Sequence, residues 1–313
     1  MTLGKAAKFN ILFILLSLIW GLTWIHIKLG IAVVPPNLFA STRFIAAGII
    51  LLVIYGWRYG PPFIERKDRL RLIAIAIIMF TISFALLYWG MQHISSGLAA
   101  LFNLTFVPLS LMVMAFFLGE ETISVAKIRA ILTGILGLVI LFRDDFGAEF
   151  DLLHLYGSVA AAIAAIIYYT GAIMSRPLLQ AHNPILINGW ANLLGGSVLF
   201  FVSLLFEPNS PAALENLLDP VVFSSWVFLV VFGSVIAFTA FLILLNEYSP
   251  TKTGMYAFVS PVIAIIAGIV FLGEDFDALD FIGVGLLLAA TAMALFRIRN
   301  EIPASQSLAE DKL

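Results

Sequence analysis

Long uncharged runs of apolar residues, separated by short polar segments, dominate the chain. The first run spans residues 9–27, and the longest, 72–119, contains no formally charged side chain. As a single α-helix the longest run would extend about 70 Å, more than twice the thickness of the hydrocarbon core of a bilayer. It must therefore fold back once, and we expect the corner at 92–97, where Gln, His, Ser and Gly interrupt the apolar pattern.

The same reasoning predicts ten membrane-spanning helices along the chain. The predicted spans are 9–29, 37–57, 70–91, 95–118, 124–142, 152–175, 184–206, 221–245, 251–272 and 278–297. Residues that stop helices, such as Pro35 with Pro36 and Asn183 with Pro184, fall between these spans. Membrane β-strands are shorter and alternate in polarity, whereas these runs are apolar on every side. The pattern therefore predicts an all-α membrane protein.

The composition agrees with this fold class. Of 313 residues, 62% are hydrophobic and only 12% are charged, far from the composition of a soluble domain. Ten spans with short joints use almost the whole chain, which leaves no room for a separate catalytic domain. A net charge of −2 offers no basic surface for nucleic acid, and the absence of cysteine excludes disulfides, thiolate metal sites and cysteine nucleophiles.

The distribution of basic residues predicts the orientation in the membrane. With a cytoplasmic N-terminus, fourteen of the 17 Lys and Arg residues fall on the cytoplasmic side, and only Lys28 and Arg143 fall on the other. The positive-inside rule then places both termini in the cytoplasm, with a short cytoplasmic tail at 298–313. The first apolar run is too long for a signal peptide and lacks a small-x-small cleavage site, so we expect it to be retained. The expected location is the cytoplasmic membrane.

The two halves of the chain share a sequence repeat. Phe-Leu-Gly-Glu at 117–120 recurs at 271–274, and Leu-Phe-Arg at 141–143 recurs at 295–297, so both motifs are repeated at an offset of 154 residues. A common offset for two motifs favours duplication over chance. The expected domains are a first repeat at 9–143, holding helices 1–5, and a second at 152–297, holding helices 6–10.

Each predicted repeat has five helices, an odd number, so the second repeat must enter the bilayer in the opposite sense to the first. Inverted repeats can expose a central cavity first to one side of the membrane and then to the other, as alternating access requires. A duplicated scaffold without transport is the alternative, although it would not need polar groups directed into the bundle.

The order of several motifs resembles a known family. The motifs are, in order, Ile19-Trp20-Gly21, Lys28-Leu29, Pro35-Pro36, Arg43-Phe44, Ser95-Ser96-Gly97, Pro108 and Leu118-Gly119-Glu120. Their spacing resembles the EamA-type transporters of the drug/metabolite transporter superfamily over nearly the whole chain. The second half departs most, since Tyr168-Tyr169 stands where the first half has Trp20-Gly21. The resemblance implies two inverted EamA repeats, a substrate path between helices 1–4 and 6–9, and peripheral helices 5 and 10. It also implies amino acids and related metabolites as cargo, exported by most members and imported by some.

Arg43 is the one basic residue inside a predicted span, roughly 9 Å deep by helix rise. A buried guanidinium needs an anionic or carbonyl partner, and no carboxylate is near it in sequence. We expect Arg43 to face the cavity and to pair with a substrate carboxylate, or with backbone carbonyls when the cavity is empty. The alternative is that it extends to the outer headgroups. No Asp or Glu lies well inside a span, which disfavours proton-coupled export of organic cations.

Aromatic and amide side chains supply further candidate contacts with a solute. Trp20 and Trp24 lie on one stripe of helix 1, which either lines a path or, more plausibly for Trp24, belongs to an interfacial aromatic belt. Intramembrane Asn side chains either bind a solute or join helices, and His26 either carries a coupling proton or is structural. The full predicted substrate-binding set is Trp20, Trp24, Arg43, Tyr88, Asn103, Tyr168, Asn192 and Tyr256.

Two prolines lie inside predicted spans. Pro108 in helix 4 and Pro261 in helix 9 each remove one backbone hydrogen bond and favour a kink. A moving helix uses such a kink as a hinge, although static bundles contain kinks too. We therefore predict Pro108 and Pro261 as hinges.

These features together predict a secondary transporter of small polar metabolites, most plausibly an exporter of amino acids or related carboxylates, because one deep cation matches one carboxylate. An importer or exchanger of another metabolite is the alternative within the same superfamily. No Walker motif is present, so ATP does not drive transport directly. The expected partners are a small-molecule substrate and the lipid bilayer, without nucleic acid, and the chain is expected to be a monomer or homodimer.

An intramembrane enzyme is the alternative of another class. It would need a nucleophile, a base or a metal set within the bilayer. The four histidines show no metal-binding spacing, and the acids lie outside the predicted spans. We therefore expect no catalytic residues, no metal and no cofactor.

Overall fold

The computed structural model describes residues 4–143, 152–207, 212–267 and 277–297. Over these residues the chain is helical and contains no β-strand, which confirms the predicted all-α class. The α-helices are α1 (Lys5–Ile31), α2 (Pro36–Tyr59), α3 (Arg66–Ala76), α4 (Ser83–His93), α5 (Ser96–Phe117), α6 (Val125–Leu141), α7 (Leu152–Met174), α8 (Arg176–Ala181), α9 (Pro184–Phe206), α10 (Pro220–Phe228), α11 (Phe238–Glu247), α12 (Pro250–Gly254), α13 (Tyr256–Ala267) and α14 (Ala278–Arg297). A 3₁₀ helix covers Ala212–Leu218.

Apart from α8, which lies between two of them, the α-helices overlap the predicted spans. A π-helical turn at Ile77–Ile82 joins α3 to α4, and another at Leu229–Ala237 joins α10 to α11, so each pair forms one continuous span. Within the described ranges, seven helical stretches are long and apolar enough to cross a membrane. The chain is therefore a multi-pass membrane protein. The end of predicted span 9, the second Phe-Leu-Gly-Glu motif and the tail at 298–313 lie outside the described residues.

Local signals place the helix ends where the sequence predicts them. The expected corner at 92–97 is present: α4 ends at His93, and the Ser95 side chain caps α5 by accepting from the Leu98 amide at 3.0 Å. Proline occupies the first position of both α2 and α9, where its missing amide proton costs nothing. Gly119 follows α5 with φ of 70°, a conformation that glycine adopts without strain.

Equivalent helices of the two repeats pack against each other in opposite directions. Between α2 and α9, Gly48 lies against Leu193 and Gly196 lies against Phe44. Residue numbers therefore rise along one helix as they fall along the other. The pair α6 and α14 behaves alike, since Gly137 lies against Gly283 while Arg143 pairs with Asp280. The two repeats are thus inverted with respect to each other.

The π-helical turns occur at corresponding places in the two repeats. Each lies in the third span of its repeat, and the two are separated by about the 154-residue offset of the sequence motifs. Hydropathy did not predict them, because an α-helix and a π-turn present equally apolar residues and differ only in hydrogen-bond register. The repeat is therefore visible in backbone detail as well as in sequence.

The bundle has two ends, which we call the terminal face, where α1 begins, and the distal face, where α1 ends. At the terminal face Lys8 pairs with Glu247, which joins the start of α1 to the end of α11. At the distal face Lys28 donates to the carbonyls of Met91 at 2.7 Å and Ile94 at 2.9 Å, which joins the ends of α1 and α4. The terminal face is the one that the sequence analysis predicts to be cytoplasmic.

Candidate functional site

A cavity lies between the two repeats in the interior of the bundle. The space between its lining atoms is about 610 Å³, part of it open to solvent. Helices α1, α2, α4 and α5 of the first repeat and α7, α11 and α13 of the second form its walls. The lining residues are Trp20, Thr23, Trp24, Ile27, Arg43, Ser83, Phe84, Leu87, Asn103, Leu104, Ala165, Tyr168, Tyr169, Phe238 and Tyr256.

Arg43 supplies a positive charge to the cavity wall while being only 2% exposed. Its Nε donates to the Ser234 hydroxyl at 3.1 Å, and one terminal nitrogen donates to the Tyr88 hydroxyl at 2.7 Å. Arg43 therefore does not extend to the distal surface. Its partners are two side-chain hydroxyls rather than the backbone carbonyls expected from the sequence.

Aromatic rings surround the Arg43 guanidinium. Its Cζ lies 4.6 Å from the ring centroid of Phe44, 5.5 Å from that of Phe84 and 5.9 Å from that of Phe238. Ring faces stabilise a cation but do not neutralise it. Among the described residues no carboxylate pairs with this side chain, so the cavity wall carries a charge that an anion would satisfy.

A cluster of aromatic side chains covers the part of the cavity that faces α11 and α13. The Trp20 ring lies 5.2 Å from Phe238 and 4.8 Å from Tyr256, both in edge-to-face contact. The hydroxyls of Tyr169 and Tyr256 form a hydrogen bond with each other. These contacts make the wall rigid, flat-sided and largely apolar.

The two π-helical turns bring side chains to this region. Ser234, which accepts from Arg43, lies in the second turn, and Phe238 follows it directly. In the first turn the Thr81 hydroxyl donates to the carbonyl of Gly195 at 2.8 Å, which ties this turn to α9. Sequence reasoning missed Ser234 and Phe238. The small polar pair Gly233-Ser234 within a long apolar run is the only signal that pointed to this place.

Six of the eight residues predicted to contact substrate line the cavity. They are Trp20, Trp24, Arg43, Asn103, Tyr168 and Tyr256. Tyr88 is fully buried behind Arg43, which it holds by a hydrogen bond. Asn192 lies outside the cavity, where its amide donates to the carbonyl and side-chain oxygens of Asn188. Substrate contact remains a prediction for the whole set.

Other predicted polar residues join helices. The Asn103 amide donates to the carbonyl of Ala161 at 3.1 Å, so it links α5 to α7 while also lining the cavity. The His26 Nδ1 lies 3.2 Å from the Ser225 hydroxyl, and its ring stacks on Phe228 at 4.1 Å between centroids. This environment fits the structural alternative for His26.

Neither of the two prolines interrupts the helix that contains it. Pro108 lies inside α5, which continues through it, and Pro261 lies inside α13, which also continues. The ninth span is instead interrupted at Met255, next to Gly254, where a Cβ would lie 2.8 Å from Leu111 and 3.1 Å from the Cα of Pro108. A hinge role for both prolines remains a prediction.

Ion pairs at the terminal face connect one repeat to the other. Each pair has one member from the first repeat and one from the second. The ion pairs are Lys8 with Glu247 at 2.5 Å and Glu120 with Arg176, and the Asp68 carboxylate forms a hydrogen bond with the His182 ring at 2.9 Å. This end of the bundle is therefore held together across the boundary between the repeats.

A buried polar cluster around Glu121 adds to these connections. Its carboxylate lies 3.1 Å from the Lys127 ammonium, and both side chains are almost completely buried. The same carboxylate accepts from the Ser249 hydroxyl at 2.5 Å and from the Thr251 amide at 3.1 Å. The joint between α5 and α6 is thereby tied to the start of α12.

Comparison with known proteins agrees with this architecture. The model of the EamA-like transporter family matches the chain twice, over residues 7–143 and 155–296. The chain belongs to the EamA-like transporter family. The resemblance noted from the sequence motifs is thus confirmed, and this EamA-like protein is a membrane transporter.

Several named proteins are similar to this EamA-like transporter. A WAT1-related chloroplast protein of Arabidopsis thaliana is 28% identical over 290 residues, which cover 90% of this chain and 68% of that protein. The uncharacterized transporter YoaV of Bacillus subtilis is 24% identical, with 90% of this chain and 94% of that protein covered. The uncharacterized inner membrane transporter YedA of Escherichia coli is 26% identical, with 89% and 87% covered.

A solved crystal structure has the same fold as this EamA-like transporter. The two superpose with a TM-score of 0.76 at 18% identity, covering 95% of this chain and all of the other. At this level of identity the likeness concerns the fold alone.

Proposed function

We propose that this EamA-like protein is a secondary transporter that exports small carboxylate metabolites, such as amino acids or related carboxylates, by alternating access. The observation that carries the proposal is the Arg43 guanidinium, which is buried in the cavity wall and has no anionic partner among the described residues. A carboxylate would accept charge-assisted hydrogen bonds there. One cation matches one carboxylate, whereas a phosphorylated solute would call for several basic groups.

The contacts at the two faces support alternating access. Cross-repeat ion pairs join the repeats at the terminal face, as Arg143 with Asp280 does between α6 and α14 at the distal end. The cavity residues of α1 and α4, which run from Trp20 to Ile27 and from Ser83 to Leu87, lie in the half of each span nearer the distal face. In the proposed cycle the terminal contacts separate when the distal end closes. We place the terminal face in the cytoplasm on the distribution of basic residues. The export direction rests on the family resemblance.

The test is solute flux in liposomes that contain only the purified full chain. Preloaded carboxylates should leave the vesicles and be recovered chemically unchanged, because the proposed function includes no chemical conversion. Replacing Arg43 with Gln or with Lys should lower carboxylate flux about tenfold or more, since a hydrogen bond to a charged group contributes roughly 1.5–3 kcal/mol.

Arg58→Gln is the matched control, because Arg58 is an exposed arginine on the same helix. It should transport at the wild-type rate. Size-exclusion profiles and thermal midpoints would establish that each variant is folded. Normal carboxylate flux through a folded Arg43→Gln protein, or conversion of the solute without net movement, would contradict the proposal.

A further inference from the structure

The Tyr168 hydroxyl is buried at the cavity wall and has no hydrogen-bond partner among the described residues. A phenol hydroxyl can both donate and accept, and leaving it unpaired in an apolar region costs free energy. Native structures pair most such groups, so an unpaired one beside a cavity calls for an explanation. A ligand that accepts a hydrogen bond would provide the missing partner.

Tyr168 and Arg43 border the same two rings. The Cζ of Arg43 lies 5.5 Å from the ring centroid of Phe84 and 5.9 Å from that of Phe238. The ring centroid of Tyr168 lies 6.0 Å from each of the same two centroids. Within the part of the chain that the structure describes, Nε and one terminal nitrogen of Arg43 have hydrogen-bond partners, which leaves the other terminal nitrogen to a ligand. Two donors without partners therefore border the same pair of rings in the cavity wall.

We propose that Arg43 and Tyr168 together bind one carboxylate, and that the transported solute is an aromatic monocarboxylate without an ammonium group. This inference rests on the proposed function and narrows its solute class. A guanidinium N–H and a phenol O–H can donate to a single carboxylate, which fixes its position more closely than the arginine alone would.

The walls of the cavity argue for an aromatic body. Beyond the two donors, a solute would meet the ring of Trp20 and the rings of Phe238 and Tyr256, each of which contacts Trp20 edge to face. Aromatic pairs contribute free energy beyond the area that they bury, and flat walls accept a flat ring better than a flexible chain. A solute ring would therefore extend the existing cluster.

The charges of the cavity argue against an amino acid. None of the described residues that line it is acidic, and its formally charged side chain is the cation Arg43. An α-ammonium would be desolvated beside a guanidinium with no carboxylate of the protein to pair with it. An ammonium near Phe84 and Phe238 would share these two rings with the like charge of Arg43. A solute without the amine avoids this cost.

The experiment measures competition and flux in liposomes with matched probes: 3-phenylpropionate, phenylalanine, hexanoate and phenethylamine. Wild-type protein should prefer 3-phenylpropionate over each of the others by about tenfold. Hexanoate lacks the ring, phenylalanine adds an unpaired ammonium, and phenethylamine carries an ammonium in place of the carboxylate. Tyr168→Phe should raise the apparent KM for 3-phenylpropionate about tenfold through loss of one hydrogen bond to a charged group.

The thermal midpoint of the empty protein shows whether Tyr168 contacts a ligand or instead stabilises the fold. Tyr168→Phe removes only a hydroxyl without a partner, so the thermal midpoint of the empty protein should stay the same or rise. Tyr156→Phe is the matched control, because Tyr156 lies on the same helix and is exposed. It should leave both the KM and the midpoint at wild-type values.

The outcomes distinguish this inference from the proposed function. If phenylalanine moves as well as 3-phenylpropionate, the amine-free class is wrong while carboxylate transport stands. If a folded Tyr168→Phe protein keeps the wild-type KM, Tyr168 does not bind the carboxylate. If none of the carboxylates crosses the membrane through wild-type protein, the proposed function itself fails.

Discussion

Asn188 shows how a buried amide positions the residues around the cavity without lining it. Its amide nitrogen donates to the carbonyl of Ser234 at 3.1 Å and to the hydroxyl of Thr239 at 2.9 Å. Its own side-chain oxygen accepts from Asn192. Because Ser234 in turn accepts from Arg43, the amide holds the π-helical turn that orients the cation. For Asn188 the structure therefore favours the helix-joining role over direct contact with a solute.

Replacing Asn188 with Ala should destabilise the protein by about 1 kcal/mol, the usual range for an interhelical hydrogen bond in a membrane. The loss also leaves the Asn192 amide without its side-chain acceptor. Tryptophan fluorescence during heating in detergent would report the lowered midpoint. Asn10→Ala, at an exposed site on α1, should unfold at the wild-type temperature. Equal midpoints for the two variants would show that the Asn188 contacts contribute nothing.

The predicted site residues that line the cavity share one property. Trp20, Arg43 and Tyr168 are predictable because polar or aromatic groups inside apolar spans must avoid lipid, and a helix turns them toward the interior. Their hydrogen-bond partners are not predictable in this way, since Ser234 is 191 residues from Arg43 in the chain. Such pairings depend on how helices of different repeats cross, which the apolar pattern does not encode.

The spans themselves were predictable because crossing a bilayer imposes both a minimum length and an apolar composition. Their internal irregularities were not. The break at Met255 and the two π-helical turns change hydrogen-bond register without changing hydropathy. Close helix crossings, such as that of Gly195 with Ala76, also leave no mark in hydropathy.

Gly195 marks one of the closest crossings. A Cβ built on it would lie 2.4 Å from the carbonyl oxygen of Ala76, so any larger side chain must push α9 away from α3. We expect Gly195→Val to destabilise the protein by about 1–3 kcal/mol or more, the usual cost of overpacking. The thermal midpoint and the monodisperse fraction after purification measure this.

Gly56→Val provides the comparison for Gly195→Val, since no atom lies within 4 Å of a Cβ built on Gly56 in α2. It should be neutral or slightly stabilising, because valine forms helices better than glycine. If both substitutions lower the midpoint equally, helix propensity or insertion, and not the crossing with α3, would be responsible.

The whole molecule combines cross-repeat contacts at the terminal face with a cavity lined by both repeats. Glu121 is central to these contacts, since it is buried and bonded to Lys127, Ser249 and Thr251 at once. Removing one member of a buried ion pair leaves the other charge without compensation. The arrangement in which the terminal face is open and hydrated should then become relatively more favourable.

We therefore predict that Glu121→Ala shifts the population toward an open terminal face. The chain has no cysteine, so spin labels at Ile123→Cys and Asn246→Cys would report only the distance across this contact. A second, longer distance should appear or grow in the Glu121→Ala background. Glu65→Ala is the control, because Glu65 is exposed and pairs with its neighbour Lys67 at 2.8 Å. Identical distance distributions in all backgrounds would show that Glu121 does not affect whether the terminal face opens.

The matching π-helical turns carry a consequence for the history of the chain. An irregularity at the same place in both halves is most simply explained if the ancestral five-helix unit already had it before the gene doubled. Each repeat supplies only part of the cavity wall, so a single five-helix unit would enclose a cavity only by pairing with a second copy inserted in the opposite sense. Such a unit would need a nearly even charge distribution across its loops, and the bias of lysine and arginine toward one side in this chain would follow from fusion of the two copies.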